Sequence, residues 1–313
     1  MTALPRPLHA LTVDVEEYFQ VSGFADVIER GAWERLESRV GLGLSRLLDL
    51  FDAHAVKATF FVLGWVADHA GSQVARIAEH GHEIASHGYE HRLVTDLDPA
   101  SFRADLDRAA EAIRRAAGVE VRGFRAPSFS FSKATPWAWE VLAEAGCRYS
   151  SSVFPIRHDR YGIPDFPRHP VRIRTRGDRG LWEFPMTTWR LLGRNVPAAG
   201  GGWLRALPLV VAQRALGAAE RAGWPGVVYV HPWEFDPAQP RIDAASRASR
   251  LRHYVNLERT EERLDRLLAR FAFAPMTTVL DGLDEAPVRA RLHGLGIRGR
   301  ETEATGAARP AGG

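Results

Sequence analysis

Cysteine is nearly absent from this chain. Cys147 is the only one among 313 residues, so no internal disulfide is possible. It follows a helical pattern in Glu144-Ala145-Gly146-Cys147-Arg148 and reads as a small buried residue rather than a nucleophile. Lysine is almost as scarce: Lys57 and Lys133 are the only two, and the other basic side chains are arginine, a compositional bias rather than a function. No run approaches the ~20 apolar residues of a membrane-spanning helix. Met1 to Ala10 contains two prolines and lacks the long apolar core of a secretion signal, so the expected location is cytoplasmic, with no signal peptide or transmembrane segment. A charge excess is missing from the body as well. The whole chain is formally +3, while residues 286–313 hold five arginines and two glutamates, also +3, which leaves zero for the rest. Nucleic-acid binders concentrate positive charge on a folded face, so no nucleic-acid partner is expected.

What is present is enough apolar material, 45%, for one large domain or two small ones with a real core. Strand-like and helix-like patterns alternate. Leu8 to Val15 reads as a short buried strand, Leu42 to Phe51 as a helix, Lys57 to Gly64 as a strand, and Val66 to His80 as a helix capped by Gly81. Glu83 to Ser86 is a strand, Pro99 to Ala117 an amphipathic helix, and Val119 to Phe124 a strand. Pro136 to Ala145 is a helix, Tyr149 to Val153 a strand, Val227 to Val230 a strand, and Glu258 to Phe271 a last helix. Such repetition predicts a mostly parallel sheet or a barrel. Phe154 to Gly202, rich in proline, arginine and glycine, breaks the rhythm and reads as a long irregular excursion with a hairpin around Val171 to Phe184. Beyond about Pro287 the chain turns Gly/Ala/Arg-rich, the composition of a disordered tail.

The chemistry sits at the strand ends. Asp14-Val15-Glu16-Glu17 closes the first strand, and Ser86-His87-Gly88-Tyr89-Glu90-His91 follows the third. Two imidazoles and a carboxylate can hold a divalent metal and leave coordination positions open. On a helix or tight helical turn, His87 and His91 would share one face. On a strand, Asp14 and Glu16 point the same way and Glu17 the other. The same carboxylates also suit a solvated loop, or the N-cap of a helix starting near Tyr18. Arg125, before Ala126-Pro127, is placed to pair with a carboxylate. His231 ends an apolar strand, a good position for a general acid. No site role is expected for His54, His69, His80 or His82.

The order of these motifs resembles the polysaccharide deacetylases, the NodB-like carbohydrate esterases. It runs from the acidic cluster through Thr59-Phe60-Phe61, Ser86-His87-x-x-x-His91 and Arg125-x-Pro127 to the strand ending at His231. The resemblance covers roughly residues 8–235. It is nearest to the exosortase- and exopolysaccharide-associated branch, through Asp14 to Phe19, Glu183-Phe184-Pro185, Gly200-Gly201-Gly202 and His231-Pro232-Trp233-Glu234. It implies an α/β fold, a distorted, incomplete (β/α) barrel with a long irregular insertion. Residues 1–285 would form one domain, about 236–285 being an extension packed on it, and 286–313 a disordered tail.

The resemblance also implies a zinc-dependent hydrolase that removes N-acetyl groups from a polysaccharide or lipid-linked oligosaccharide in exopolysaccharide biosynthesis, with peripheral association to a membrane machinery. Asp14 would be the base, Arg125 its tether and His231 the acid. Glu16 (or Glu17), His87 and His91 would hold the metal. The backbone N–H at Ser128 would face the oxyanion, and Phe129 and Trp233 would line the substrate site. Trp189 and Trp203 would offer further stacking faces. Two departures stand out: Asp-x-Glu-Glu replaces the usual Asp-Asp pair, and Ser128 replaces the usual aromatic. No counterpart of the family's Asp-Trp motif is found; Trp137, Trp139 and Asp159 are poor matches. Alternative functions are a metal amidohydrolase for a small non-sugar amide, or a non-catalytic carbohydrate-binding protein.

Overall fold

The computed structural model describes residues 7–158, 161–176 and 180–283. Nine strands build one sheet: β1 His9–Val15, β2 Thr59–Val62, β3 Glu83–Ser86, β4 Gly123–Phe124, β5 Tyr149–Ser150, β6 Val171–Arg174, β7 Gly180–Glu183, β10 Val227–Val230 and β11 Phe273–Ala274. A separate hairpin pairs β8 Thr188–Leu191 with β9 Arg194–Pro197. The helices, in chain order, are α1 Val40–Ala53, α2 Gly64–His69, α3 Gly71–Glu79, α4 Pro99–Ala117, α5 Trp137–Glu144, α6 Gly201–Ala206, α7 Leu209–Arg221, α8 Arg247–Tyr254, α9 Thr260–Leu268 and α10 Met276–Asp281.

The strand order is β10-β1-β2-β3-β4-β5-β7-β6, with β11 also paired to β1. Every pairing is parallel except β6 with β7. The sheet curls into an open half-barrel, the incomplete α/β barrel the sequence implies. β1 and β2 are buried along their whole length, as a central strand of a parallel sheet must be. On one side of the sheet, Leu11, Val13, Phe60 and Val62 pack against Leu44, Leu47 and Phe51 of α1. On the other, Phe61, Tyr149, Phe184 and Tyr229 form the inner cluster.

Parallel pairing has one decisive consequence for function. All the strands that precede charged motifs end at the same rim. The register sets Asp14 beside Phe61, Val62 beside Ser86, Ser86 beside Phe124, Phe124 beside Ser150, and Val13 beside Val230. The residues just past those partners are Glu16, His87, Arg125, Ser151 and His231.

Several elements differ from the sequence reading. The helix expected from Val66 to His80 is two helices, broken at Ala70 (φ −134°, ψ 40°). The strand expected from Val119 shrinks to Gly123–Phe124. Phe154 to Gly202 is not irregular throughout. The expected hairpin near Val171 is present as β6 and β7 and extends the main sheet, while β8 and β9 form a second one. The latter turns on Leu192 (φ 48°) and Gly193 (φ 76°), the two positive dihedrals a tight two-residue hairpin turn requires. Gly200-Gly201-Gly202 opens α6, with a bridge from Gly200 to Tyr229. The expected tail, 286–313, lies outside the described residues.

Candidate metal centre

Three of the expected ligands meet. One ligand atom from each of Glu16, His87 and His91 lies within 4.8 Å of the others, and all three side chains are buried. Each is held by a different device. His87 is placed by the sheet, its N–H donating to Val62 O at 2.9 Å. Its Nδ1 lies 2.8 Å from Arg125 O, which can only accept, so Nδ1 carries the proton and Nε2 keeps a free lone pair for a cation. Burial pushes the His87 imidazole down to about 4, so it is neutral at pH 7.

His91 does not reach the site as part of a helix. Residues 87–93 form an irregular loop with Gly88 at φ 77° and His91 at φ 52°. A positive φ on a residue with a Cβ is strained, and it turns the second ring back toward the first, 5.3 Å away between centroids. The loop is pinned from outside. Asp105 Oδ2 accepts from Tyr89 N at 3.0 Å, and Arg30 donates to Glu90 O at 2.9 Å and His91 O at 3.5 Å.

Glu16, one residue beyond β1, accepts from Trp233 Nε1 at 3.1 Å through Oε1. Its other oxygen, Oε2, lies 3.0 Å from His91 Nε2 yet is buried without a hydrogen-bond donor. A buried carboxylate oxygen left without a donor is costly. Such an atom facing two imidazole nitrogens fits a cation ligand, and N₂O is a donor set that borderline divalent cations accept. Burial opposes ionisation of Glu16, but His91, His231 and His87 outweigh it and bring the carboxyl to about 2. Glu17 turns away. It accepts from Ser38 Oγ at 2.5 Å and from Arg39 N at 3.0 and 3.1 Å, capping the entry to α1 rather than a helix near Tyr18. Strand parity explains the split between the two glutamates.

Beside the cluster, Arg125 Nη1 donates to Asp14 Oδ1 at 2.6 Å and to Thr12 Oγ1 at 2.8 Å. The guanidinium is fully buried, also donates to Ser151 O and Oγ at 3.1 and 3.0 Å, and lies 4.2 Å over the Phe61 ring. Asp14 Oδ2 remains free of it, 3.9 Å from His231 Nε2. His231 Nε2 is also 3.5 Å from Glu16 Oε1. Its Nδ1 lies 3.2 Å from Glu234 Oε2. Burial disfavours a charged His231, but Glu234, then Glu16 and Asp14, more than offset it and raise the imidazole to about 9. Glu234 itself, opposed by burial but facing Arg205 and His231, is held at about 2.

Ser128 and Phe129 both have left-handed backbone, φ 52° and 53°, in the turn after Arg125-Ala126-Pro127. Two consecutive non-glycine residues in that region mark stored strain at a site. Ser128 Oγ is 2.6 Å from Ser22 Oγ, and Phe129 packs on Tyr229, 4.9 Å between centroids. Trp233 does not line an open surface. The residue is 7% exposed, and its ring stacks with His253 at 4.1 Å and His231 at 5.0 Å. Trp189 packs against the Arg214 guanidinium and Trp203 against the inner cluster. Of the poor Asp-Trp matches, Trp139 binds buried Glu183 at 2.9 Å, Trp137 packs against Phe102, and Asp159 lies outside the described residues.

The sequence reading gave no role to Arg205, His253 or the Trp233–Glu16 bond. An arginine between Leu204 and Ala206, and a glutamate between Trp233 and Phe235, are charges set among apolar neighbours, and that is the signal that marks a buried pair.

Fold and site together define an open α/β half-barrel whose C-terminal rim carries a Glu/His/His cluster, an arginine-tethered aspartate and a carboxylate-bound histidine. Residues 43–150 match the family model "Polysaccharide deacetylase", and residues 151–281 match a domain of unknown function, DUF3473. The Helicobacter pylori peptidoglycan deacetylase is 30% identical over 132 residues, 42% of this chain and 41% of that protein. The Bacillus cereus peptidoglycan-N-acetylglucosamine deacetylase is 35% identical over 82 residues, 26% of this chain and 30% of that one. The chain thus spans less than half the length of these curated relatives. A crystal structure of a candidate polysaccharide deacetylase from Mycobacterium smegmatis shares the fold at TM-score 0.60 and 22% identity, over 90% of this chain and 92% of that one. The family model and the curated relatives support the polysaccharide deacetylase family, the one the motifs resemble, and the solved structure shows the shared fold.

Proposed function

We propose that this chain is a metal-dependent hydrolase that removes N-acetyl groups from a sugar polymer or a lipid-linked oligosaccharide. The observation that carries the reading is the buried Glu16/His87/His91 cluster with Asp14–Arg125 on one side and His231 on the other. Glu16, His87 and His91 would hold a divalent cation, with zinc the proposed ion, and that ion would supply Lewis acidity to an amide carbonyl. Asp14 acts as base, taking a proton from the attacking water at Oδ2, the oxygen that Arg125 leaves free. Arg125 fixes its orientation. His231 delivers a proton from Nε2 to the departing amine nitrogen, while Glu234 holds the opposite ring nitrogen. The backbone N–H of Ser128, in the strained turn, is the proposed donor to the developing oxyanion, and Phe129 the proposed wall for the acetyl group.

Both matched segments contribute, since His87, His91 and Arg125 lie in the first and His231 in the second, which supports reading 1–285 as one catalytic unit. We further propose a cytoplasmic place in exopolysaccharide synthesis, with peripheral attachment to a membrane machinery. No helix among the described residues is long and apolar enough to cross a membrane. The test is acetate release from chitooligosaccharides, from an acetylated exopolysaccharide and from simple acetamides, each with and without chelator. Chelator-sensitive release from the sugars supports the reading. Preference for the simple amides, or no release from any, overturns it.

A further inference from the structure

Residues 151–281 match a domain to which no function is assigned, and one side chain stands at its centre. Arg205 of α6 is 1% exposed, and Glu234, which it meets, is fully buried. Nε donates to Glu234 Oε1 at 2.6 Å. Nη1 donates to the carbonyls of His253 and Val255 at 2.7 and 2.8 Å, and Nη2 to that of Arg252 at 3.1 Å. These carbonyls close the C-terminal end of α8, where a cation also complements the helix dipole. One guanidinium thus ties three segments together: α6, the end of α8, and the short 3-10 turn Pro232–Phe235.

Two chains of contact lead from Arg205 to the site. Through Oε2, Glu234 accepts from His231 N at 2.9 Å and binds Nδ1 at 3.2 Å, so the carboxylate that Arg205 holds fixes both the backbone and the ring of His231. His253, whose carbonyl Arg205 grips, stacks on Trp233, and Trp233 donates to Glu16. A buried arginine–glutamate pair is a poor source of stability, because desolvation of both charges consumes most of the attraction. An apolar pair of similar volume would fill the same space. What an apolar pair cannot do is present an acceptor to His231 Nδ1 at a fixed place.

We infer that Arg205 is a positioning residue: through Glu234 and the His253–Trp233 stack it sets His231 and Glu16, and the segment of unknown function thereby completes the reaction centre. The inference rests on the reading of His231 as the proton donor. Arg205→Ala, assayed with saturating metal, is expected to lower kcat by about 10–100-fold, the usual range for groups that orient a reacting side chain from behind, with KM within about twofold. Added guanidinium is expected to restore part of kcat, since it can refill the cradle of three carbonyls and one carboxylate. Because Arg205→Ala strands a buried carboxylate and can unfold the chain, the double variant Arg205→Met/Glu234→Leu is made beside it. A folded, metal-replete double variant that has lost kcat supports a positioning role; one with wild-type kcat overturns it. His231→Ala is assayed in parallel. If it keeps full activity, the proton-donor reading falls and this inference with it. If it is inactive while the folded Arg205 variants turn over normally, this inference alone falls.

Discussion

The indole nitrogen of Trp233 donates to Oε1 of Glu16 across 3.1 Å, joining residues 217 positions apart in the chain. This bond leaves Glu16 Oε2 directed at His91. Trp233→Phe keeps the aromatic stack and removes only the donor. It is expected to leave the melting temperature within a few degrees and to weaken zinc binding by about 10–100-fold in a competitive chelator titration. Unchanged affinity would show that the indole merely fills space.

His87→Ala and His91→Ala should lose bound metal and activity together, because each removes one of the three groups proposed to hold the ion. Glu17→Gln should do neither, since Glu17 caps the approach to α1, and its effect should appear as a modest loss of stability, about 0.5–2 kcal/mol by urea denaturation. Metal loss from Glu17→Gln would reverse the assignment of the two glutamates.

Asp14→Asn keeps the shape of the side chain and should keep most of the metal while abolishing acetate release. Arg125→Leu is different in kind. It leaves Asp14 buried without its cationic partner, and removing one member of such a pair is expected to destabilise the fold by about 3–5 kcal/mol. Arg125→Leu combined with Asp14→Leu should recover part of that loss, although the double variant would be inactive. Additive losses in the double variant would mean that the two do not interact.

Acid should weaken the fold before the carboxylates titrate. His9 Nδ1 accepts from Gly226 N at 2.8 Å and His82 Nδ1 from Ala58 N at 3.1 Å, which requires both rings to be neutral. Burial depresses His9 and His82 to about 4 and, with Arg205 nearby, His253 to about 3. Below the ordinary value of 6.5 the unfolded chain takes up these protons and the folded chain does not. The contribution of these three histidines is therefore full above pH 6.5 and falls as pH drops, by about 1.4 kcal/mol per unit for each. Urea midpoints between pH 7 and 5 should show this fall; a flat profile would mean that the rings protonate in place.

Gly43 is a close-approach position. A Cβ there would run into the Pro232 backbone, so α1 seats directly on the turn that carries Trp233 and Glu234. Gly43→Ala should cost about 1–3 kcal/mol by overpacking and lower kcat along with stability. Wild-type turnover in a destabilised Gly43→Ala protein would uncouple α1 from the site.

The legible part of this molecule was what two local rules govern. Apolar runs such as Leu8 to Val15 and Val227 to Val230 read as strands, and in a parallel sheet their ends must share a rim, which brings Asp14 and His231 together from opposite ends of the domain. That Glu16 and Glu17 turn to opposite sides followed from side-chain alternation. The histidine spacing was readable as a pair, but its conformation was not, because the turn depends on tertiary pins from Arg30 and Asp105 that no local pattern encodes. Arg205 stayed hidden for a related reason. Its partners, Glu234 and the carbonyls of residues 252, 253 and 255, are distant in sequence, and backbone carbonyls carry no sequence signature. Trp233 was recognised as a motif member yet assigned to substrate, since an aromatic beside a histidine gives no sign of which way its nitrogen points.

Each ligand is anchored by protein groups: His87 to the Arg125 carbonyl, Glu16 to an indole, and the His91 loop to an arginine and an aspartate. The receptacle is therefore rigid before any ion arrives, unlike a zinc finger, which folds around its metal. Dialysis against a chelator should yield a well-folded apoprotein that recovers at once on adding back zinc, cobalt or nickel. On the proposed reading, which ion fills the receptacle would then be decided by which metal is on offer, because the protein does not reshape itself around any one of them.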